Sequence, residues 1–512
     1  MDLRERRPIA LLAVAFLVLG ALLSRDIGPT ADERETVRAG LRNLEIIAAW
    51  SAGEPLPDWR FHELTGFYFV LDTARALWAR ALAPLGIRDA YQAQHLAHLL
   101  LSSATLWLLF AIARLCGASR RAALLAAVAL ATLPKFVAHS QNNPKDLPAT
   151  FAFLLALYGV LATGLRGGLG RAVLAGAALG LALTTRVHAV FAPLIGWTWL
   201  VLARAPLARR DVGNQLALLA AGGLFAIAFW PWLWPAPLDQ ALSAFQGLSN
   251  KVFTIPVLYL GEVYPAHQVP WHYRPVLLLA TTPISWLALA GLGLATLGRR
   301  AAPGVRDPAR LAASWLAVLW LADGLVSSRY DGVRHFLMAL PALALLAGVG
   351  AERALLWLEA RELPRALYAL PCLPFAIGAL TLALLHPYPN AVLGAPARLL
   401  AGEDSDRLFE LDYWGQSYLE AARWLDAHAE SDAEVIVPLF APLARLSTRR
   451  ELRAGSVADW LPGDRPRYLV VLARRAYWDE PLRELERRRA PDFEIRRSGG
   501  QLLAIYRNDA AR

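Results

Sequence analysis

Lysine is nearly missing from this chain: of its 52 basic residues, only Lys135, Lys145 and Lys251 are lysines. Cysteine is as scarce. Cys116 and Cys372 both fall in or beside apolar stretches, so no disulfide framework is implied. Charge is sparse as well, at 18% of residues against 56% hydrophobic and a mean hydropathy of +0.37, which excludes an ordinary soluble globular chain. There is no internal repeat and no low-complexity tract, which disfavours a transporter built from inverted repeats.

What the sequence does have is apolar runs. Eleven stretches approach or exceed the length needed to cross about 30 Å of hydrocarbon: 8–24, 95–115, 121–137, 148–164, 172–187, 188–204, 214–233, 276–297, 311–328, 335–351 and 366–385. With the N-terminus in the cytoplasm, every cytoplasmic loop then receives a basic cluster, Arg4 to Arg7, Arg114 to Arg121, Arg166 to Arg171, Arg204 to Arg210, Arg299 to Arg310 and Arg353 to Arg365. The odd count puts the C-terminus outside. The first run, with its three preceding arginines, also fits a cleaved signal peptide, but the use made of the loop behind it argues for a retained helix. The net charge of +10 belongs to the membrane part, because residues 386–512 hold 19 arginines and 20 acidic residues; no nucleic-acid partner is needed to explain it.

The expected architecture is an all-α membrane domain over 1–385 and a small soluble α/β domain over 386–512. In the first outer loop, Glu35 to Trp50 and Leu64 to Leu82 read as helices lying on the membrane. In the tail, Tyr418 to Ala427 reads as a helix, Glu434 to Pro438 and Arg467 to Leu472 as strands, and Phe493 to Arg497 with Leu502 to Tyr506 as a hairpin turning on Gly499-Gly500. The indoles of Phe229-Trp-Pro-Trp-Leu-Trp234 suit the headgroup level.

Sorted by side, the polar residues collect on the outer face. Asp32 and Glu33 follow the first apolar run; they either start a helix by favouring its N-terminal dipole, or act as a general base that deprotonates an acceptor attacking a sugar carbon. Between the third and fourth runs lies Asn142-Asn143-Pro144-Lys145-Asp146. Asp146 suits a helix cap, whereas an ammonium beside amides suits a phosphate. Arg186 and His188, and Arg334 and His335, either snorkel to the interface or join Lys145 around a phosphate leaving group. His95 and His98 lack a third ligand and read as packing rather than metal. Asp323 is an ionisable residue predicted inside a span, where a helix contact is expected.

An acidic pair after the first span, an Asn-Pro-Lys-Asp turn before the fourth, Pro270-Trp-His-Tyr273 at the end of a long outer loop and Tyr330-Asp-Gly-Val-Arg-His335 before the tenth resemble the GT-C membrane glycosyltransferases. The nearest likeness within them is the branch of protein O-mannosyltransferases and lipid A aminoarabinose transferases. The resemblance covers residues 1–385 and implies inverting transfer of a sugar from a polyprenyl-phosphate donor. It makes Asp32 the base with Glu33 beside it and Asp146 the second acid, and it carries phosphate contacts to Lys145, Arg186, Arg334 and His335; Asn143, His188 and His272 complete the expected donor-binding set. Asp412-Tyr-Trp-Gly415 with the following helix resembles the outer domain of some bacterial members. Residues 1–385 carry no Asp-x-Asp and no Trp-Trp-Asp-type motif, which favours a single sugar over a preassembled glycan. No cofactor is expected, and a divalent metal, though chemically possible, is not indicated. An alanine- and arginine-heavy composition points to a bacterial inner membrane, with undecaprenyl phosphate as carrier, membrane lipids around it and the tail in the periplasm. The acceptor is a protein hydroxyl, a lipid or a glycan. The competing expectation is a transporter or flippase of an anionic lipid.

Overall fold

The computed structural model describes residues 3–508 except 55–67, 204–208, 251, 299–306, 325–327, 446, 449 and 462–464. Arg204, Lys251, Arg299, Arg300, Arg306 and the start of the second predicted membrane-lying helix therefore lie outside the described residues.

Every predicted apolar run is built on helix. In chain order these are α1 (Leu3–Leu23), α2 (Ala31–Ala52), α3 (Phe69–Leu82), α4 (Ala90–Leu115), α5 (Arg120–Ala131), α6 (Pro134–Asn142), α7 (Asp146–Arg166), α8 (Leu169–Leu183), α9 (Phe191–Leu202), α10 (Arg209–Phe229), α11 (Pro237–Asn250), α12 (Tyr273–Ala280), α13 (Ile284–Leu294), α14 (Pro308–Asp323), α15 (Leu340–Ala360) and α16 (Leu373–Leu385). The count of eleven straight spans is not reproduced. Among the described residues, six helices are long and apolar enough to cross a membrane, or eight if each bent pair is one span. The run 121–137 is broken into α5 and α6 at 64°, and 276–297 is broken at 113°. Proline explains both positions: Pro134 and Pro283 have no N–H to donate and sit where a new helix begins. α8 and α9 are apolar but shorter.

α15 runs through the middle of the bundle and is almost wholly buried against α5, α13 and α14. At the end opposite the site, Arg121 at the start of α5 meets Glu359 at 2.5 Å and Glu352 at 3.5 Å on α15.

α2 turns Glu33, Thr36, Gly40 and Asn43 toward the protein and leaves Leu41, Ile47 and Trp50 on the surface, the pattern of a helix lying in an interface. Gly40 is required there, since a Cβ would stand 2.5 Å from the carbonyl oxygen of Asp72 on α3. α3 is not simply surface-lying. Asp72 and Arg75, three residues apart, are turned inward as a buried ion pair. Of the indoles in Phe229 to Trp234, Trp230 is buried and Trp234 exposed.

The long loop between α11 and α12 forms a hairpin of β1 (Pro256–Tyr259) and β2 (Glu262–Pro265). The tail is an α/β unit with β3 (Glu434–Val437), β4 (Leu452–Ala454), β5 (Arg467–Leu472), β6 (Phe493–Arg497) and β7 (Gly500–Asn508) in the order β4-β3-β5-β7-β6. β4, β3 and β5 run parallel; β7 and β6 form the expected antiparallel hairpin. The tail does not hang free. Val257, Tyr259, Tyr273, Leu277 and Val333 share one core with Tyr388, Leu411, Tyr418 and the tail strands.

Candidate active site

Three loops meet at one end of the bundle. In the first, the Thr30 hydroxyl accepts from the Glu33 N–H at 3.4 Å, and the Glu33 carboxylate accepts from the Thr30 N–H at 2.9 Å, a reciprocal cap on α2. Thr30 Oγ1 also donates to the Asn142 carbonyl at 3.1 Å, and Asn142 Nδ2 donates to the Gly28 carbonyl at 3.3 Å. These two bonds tie the start of α2 to the α6–α7 turn.

Asp32, in the first turn of α2, is thereby brought against that turn. Lys145 Nζ lies 2.9 Å from Asp32 Oδ1 and 2.9 Å from Glu35 Oε2. From the third loop, Arg334 Nη1 reaches Asp32 Oδ2 at 2.5 Å, and its Nη2 reaches Asp331 Oδ2 at 2.8 Å. The Arg334 guanidinium is bounded by the rings of Tyr330 and Trp414, each 5.5 Å from its centre. Asp32 is thus a carboxylate with one cation on each oxygen. Burial opposes its ionisation, but the Arg334 and Lys145 charges outweigh that and hold it well below the usual carboxylate range. The same pairing raises Lys145 against the cost of its own burial, so the ammonium stays charged.

A second pair sits beside this one. Asn143 Oδ1 accepts from the N–H groups of Lys145 at 3.2 Å and Asp146 at 2.8 Å, so Asn143 rather than Asp146 caps α7. Its Nδ2 donates to Asp146 Oδ2 at 3.2 Å and meets His139 Nδ1 at 3.0 Å. Asp146, freed from capping, forms an ion pair with Arg186. Behind the turn, Arg75 donates to the Pro144 carbonyl and lies 3.3 Å from His98.

A third cluster joins Arg274 and Arg329 to Asp323, with Arg274 Nη2 3.4 Å from His335 Nδ1. Asp323 is the last residue of α14 rather than a mid-helix one.

Of the residues expected to act, Asp32 contacts both Lys145 and Arg334, and Asn143, Asp146 and Arg186 form the adjoining group of three. Glu33 is placed differently. Completely buried, it spends its carboxylate on the Thr30 cap and on His95 at 3.0 Å. His272 bonds the Tyr259 hydroxyl at 2.7 Å on the hairpin, away from Asp32. His188 packs on Phe191 beside Arg186, and His335 lies edge-on to Tyr330. Lys135, the other described lysine, donates to Asn390 at 2.6 and 3.0 Å and so joins the bundle to the tail. The chain's single Asp-x-Asp, Asp404-Ser405-Asp406, is in the tail, where Asp406 pairs with Arg475 and accepts from the Gln501 N–H. Among the described residues no group of three or more His, Cys, Asp or Glu is arranged to hold a metal ion.

Glu35, Asp331 and Trp414 were not singled out from the sequence. Asp331, between Tyr330 and Arg334 in a short polar turn, and Trp414, within Asp412 to Gly415, both lay in segments the sequence had marked without a role being given to either residue.

Residues 78–234 match the family described as dolichyl-phosphate-mannose-protein mannosyltransferase, a stretch that includes Lys145, Asp146, Arg186 and His188. No curated protein matches the sequence. Among solved structures, the chain is similar to ArnT from Cupriavidus metallidurans in the apo state, with 14% identity over 97% of each chain and a TM-score of 0.50. It is also similar to the arabinofuranosyltransferase AftD from Mycobacteria, with 16% identity over 91% of this chain and 36% of that one and a TM-score of 0.51. The fold is that of the GT-C membrane glycosyltransferases.

Proposed function

We propose that this protein transfers a single sugar from a polyprenyl-phosphate donor to an acceptor at the outer face of a bacterial inner membrane, with inversion at the anomeric carbon. The observation that carries this reading is the pairing of Asp32 with both Lys145 and Arg334. A base and the cations for a leaving phosphate are held together at one end of an apolar bundle. The family matched by residues 78–234, named for mannose transfer from dolichyl phosphate, supports a donor of this class.

In the reaction, the acceptor oxygen attacks the anomeric carbon and loses its proton to Asp32. The bond from that carbon to the phosphate oxygen breaks, and its electron pair leaves with polyprenyl phosphate. Displacement in one step from the side opposite the phosphate inverts the centre. Lys145 and Arg334, with Arg186 beside them, balance the charge gathering on the departing phosphate, and fixed cations act more strongly in a partly dry site than in water. Clamped by two cations, Asp32 is by itself a poor base. A donor phosphate that shares the charge of Lys145 and Arg334 where they stand weakens their electrostatic hold on Asp32 and restores its basicity, so proton removal is favoured when a donor is bound.

The test is turnover of the purified full chain with a set of polyprenyl-phosphate monosaccharides and cell-envelope extract as acceptor, following release of free polyprenyl phosphate. Release from at least one donor is expected. No release from any donor by a folded protein overturns the reading.

A further inference from the structure

The tail has no role in the chemistry just described, yet it reaches the site. β3 and β5 are adjacent parallel strands, and just beyond the carboxyl end of β5 the chain reaches Asp331 through Arg474. In open α/β sheets the crevice at such ends commonly takes a ligand. Here it is filled by the tail's own Arg474, two residues beyond β5. The Arg474 guanidinium lies between the rings of Phe440, at 5.6 Å just past β3, and Tyr477, at 4.7 Å. Phe440 adopts a positive φ of 54°, a conformation a bulky residue rarely takes, and so places its ring beside the guanidinium.

The fork of Arg474 is fully engaged. Nε meets Glu410 at 3.2 Å, Nη1 donates to the Tyr413 carbonyl at 3.2 Å, and Nη2 meets Asp331 Oδ1 at 2.7 Å. The other oxygen of Asp331 is the one that holds Arg334. A single carboxylate is therefore shared between the tail's buried arginine and the site's. Asp331 and Gly332 both have positive φ, 54° and 66°, and the Gly332 N–H donates to the Tyr273 hydroxyl at 2.9 Å. The turn carrying Asp331 is thus fixed from the bundle side as well. The neighbouring tail loop adds Trp414 against Arg334 and, edge-on at 5.2 Å, against His139. That loop is itself held by Asp412, which accepts from the Gln416 and Ser417 N–H groups at 3.0 Å each.

We infer that Arg474 is a positioning residue of the site: by holding Asp331 it fixes the Arg334 guanidinium beside Asp32, so the tail completes the active site. This rests on the transferase reading above. An arginine that only docked the tail would need no link to a site cation. Arg475 shows what such an arginine looks like, since its ion pairs, with Asp406 and Glu486, stay within the tail.

The experiment compares the full-length wild type with Arg474→Gln, Arg474→Lys, Asp331→Asn, Arg475→Gln and the Asp331→Asn/Arg474→Gln double variant, measuring kcat, KM and melting temperature in detergent. Arg474→Gln is expected to lower kcat by about a hundredfold, the scale of a misplaced site group. Arg474→Lys, which keeps the charge but not the fork, is expected to retain an intermediate rate. Arg475→Gln is expected to lower the melting temperature while leaving kcat near wild type. The double variant should lose no more activity than the worse single one, since both break the same link. Wild-type kcat in folded Arg474→Gln, or multiplying losses in the double variant, overturns the inference alone. If Arg474→Gln does not fold, Asp331→Asn reads the link from the bundle side, and wild-type kcat there overturns it. Absence of turnover in the wild type overturns the transferase reading and this inference with it.

Discussion

Arg334 Nη1 lies 2.5 Å from Asp32 Oδ2, although 302 residues separate the two in the chain. Arg334 continues through Asp331 to Arg474 and Glu410, and Asp32 continues through Lys145 to Glu35. Charges alternate in sign along this whole line. Altering one member changes the field at its neighbours, which bears on the substitutions at Lys145, Glu410 and Asp32 below.

Lys145 is the cation that both faces Asp32 and lies in the family-matched stretch. Lys145→Met removes the charge while keeping most of the apolar stem. Affinity for polyprenyl phosphate should fall by about tenfold or more, the scale of one charge-assisted contact. Equilibrium binding of the free carrier to purified variants measures this; unchanged affinity contradicts a phosphate role for Lys145.

Glu33 adjoins Asp32 in sequence but faces the opposite way, into its cap and His95. Glutamine serves equally well at the third position of a capping box. Glu33→Gln is therefore expected to retain most of the turnover that Asp32→Asn loses. Parallel loss in both variants would make the acidic pair, rather than Asp32 alone, the chemical unit.

Asp146 pairs with Arg186 and accepts from Asn143 in a buried setting. Asp146→Ala strands the Arg186 guanidinium, and breaking a buried pair from one side costs about 3 kcal/mol. A lower melting temperature is the expected result, and a wild-type melting curve would show that Arg186 finds another partner.

Glu410 supplies a pH dependence. Burial raises its pKa, the nearby Arg474 only partly offsets this, and Asp331 adds to the rise, so it moves from the ordinary 4.5 to about 7. Between those values the folded chain holds a proton that the unfolded chain has released. This contribution to stability is therefore full below about pH 4.5 and is lost as pH rises through 7, by about 3 kcal/mol in all. Melting temperatures from pH 5 to 8 should fall more steeply for wild type than for Glu410→Gln. Parallel slopes contradict the assignment.

Much of the site was legible because lipid cannot solvate charge, so the ionisable residues of the bundle gather at its ends and sorting them by side nearly sorts them by site. That logic brought Asp32, Lys145, Asp146, Arg186 and Arg334 into one group. It could not see rotation about a helix axis. Glu33 and Asp32 are neighbours in sequence, yet the cap turns one inward and leaves the other to the site. The inward pairing of Asp72 with Arg75, in the stretch Leu64 to Leu82 expected to lie on the membrane, is invisible in composition. The bends at Pro134 and Pro283 were open to reading, since each proline interrupts an apolar run. Arg474 was not, being one of 19 arginines in the tail, distinguished only by the crevice that the sheet builds around it.

The measurement closest to the central claim is the release of polyprenyl phosphate from a productive donor by wild type and by Asp32→Asn, at equal folded concentration. Removing a general base should lower kcat by about a hundredfold to ten-thousandfold while the carrier still binds. Wild-type turnover in Asp32→Asn would contradict the account, because the carboxylate held between Lys145 and Arg334 would then take no part in the chemistry.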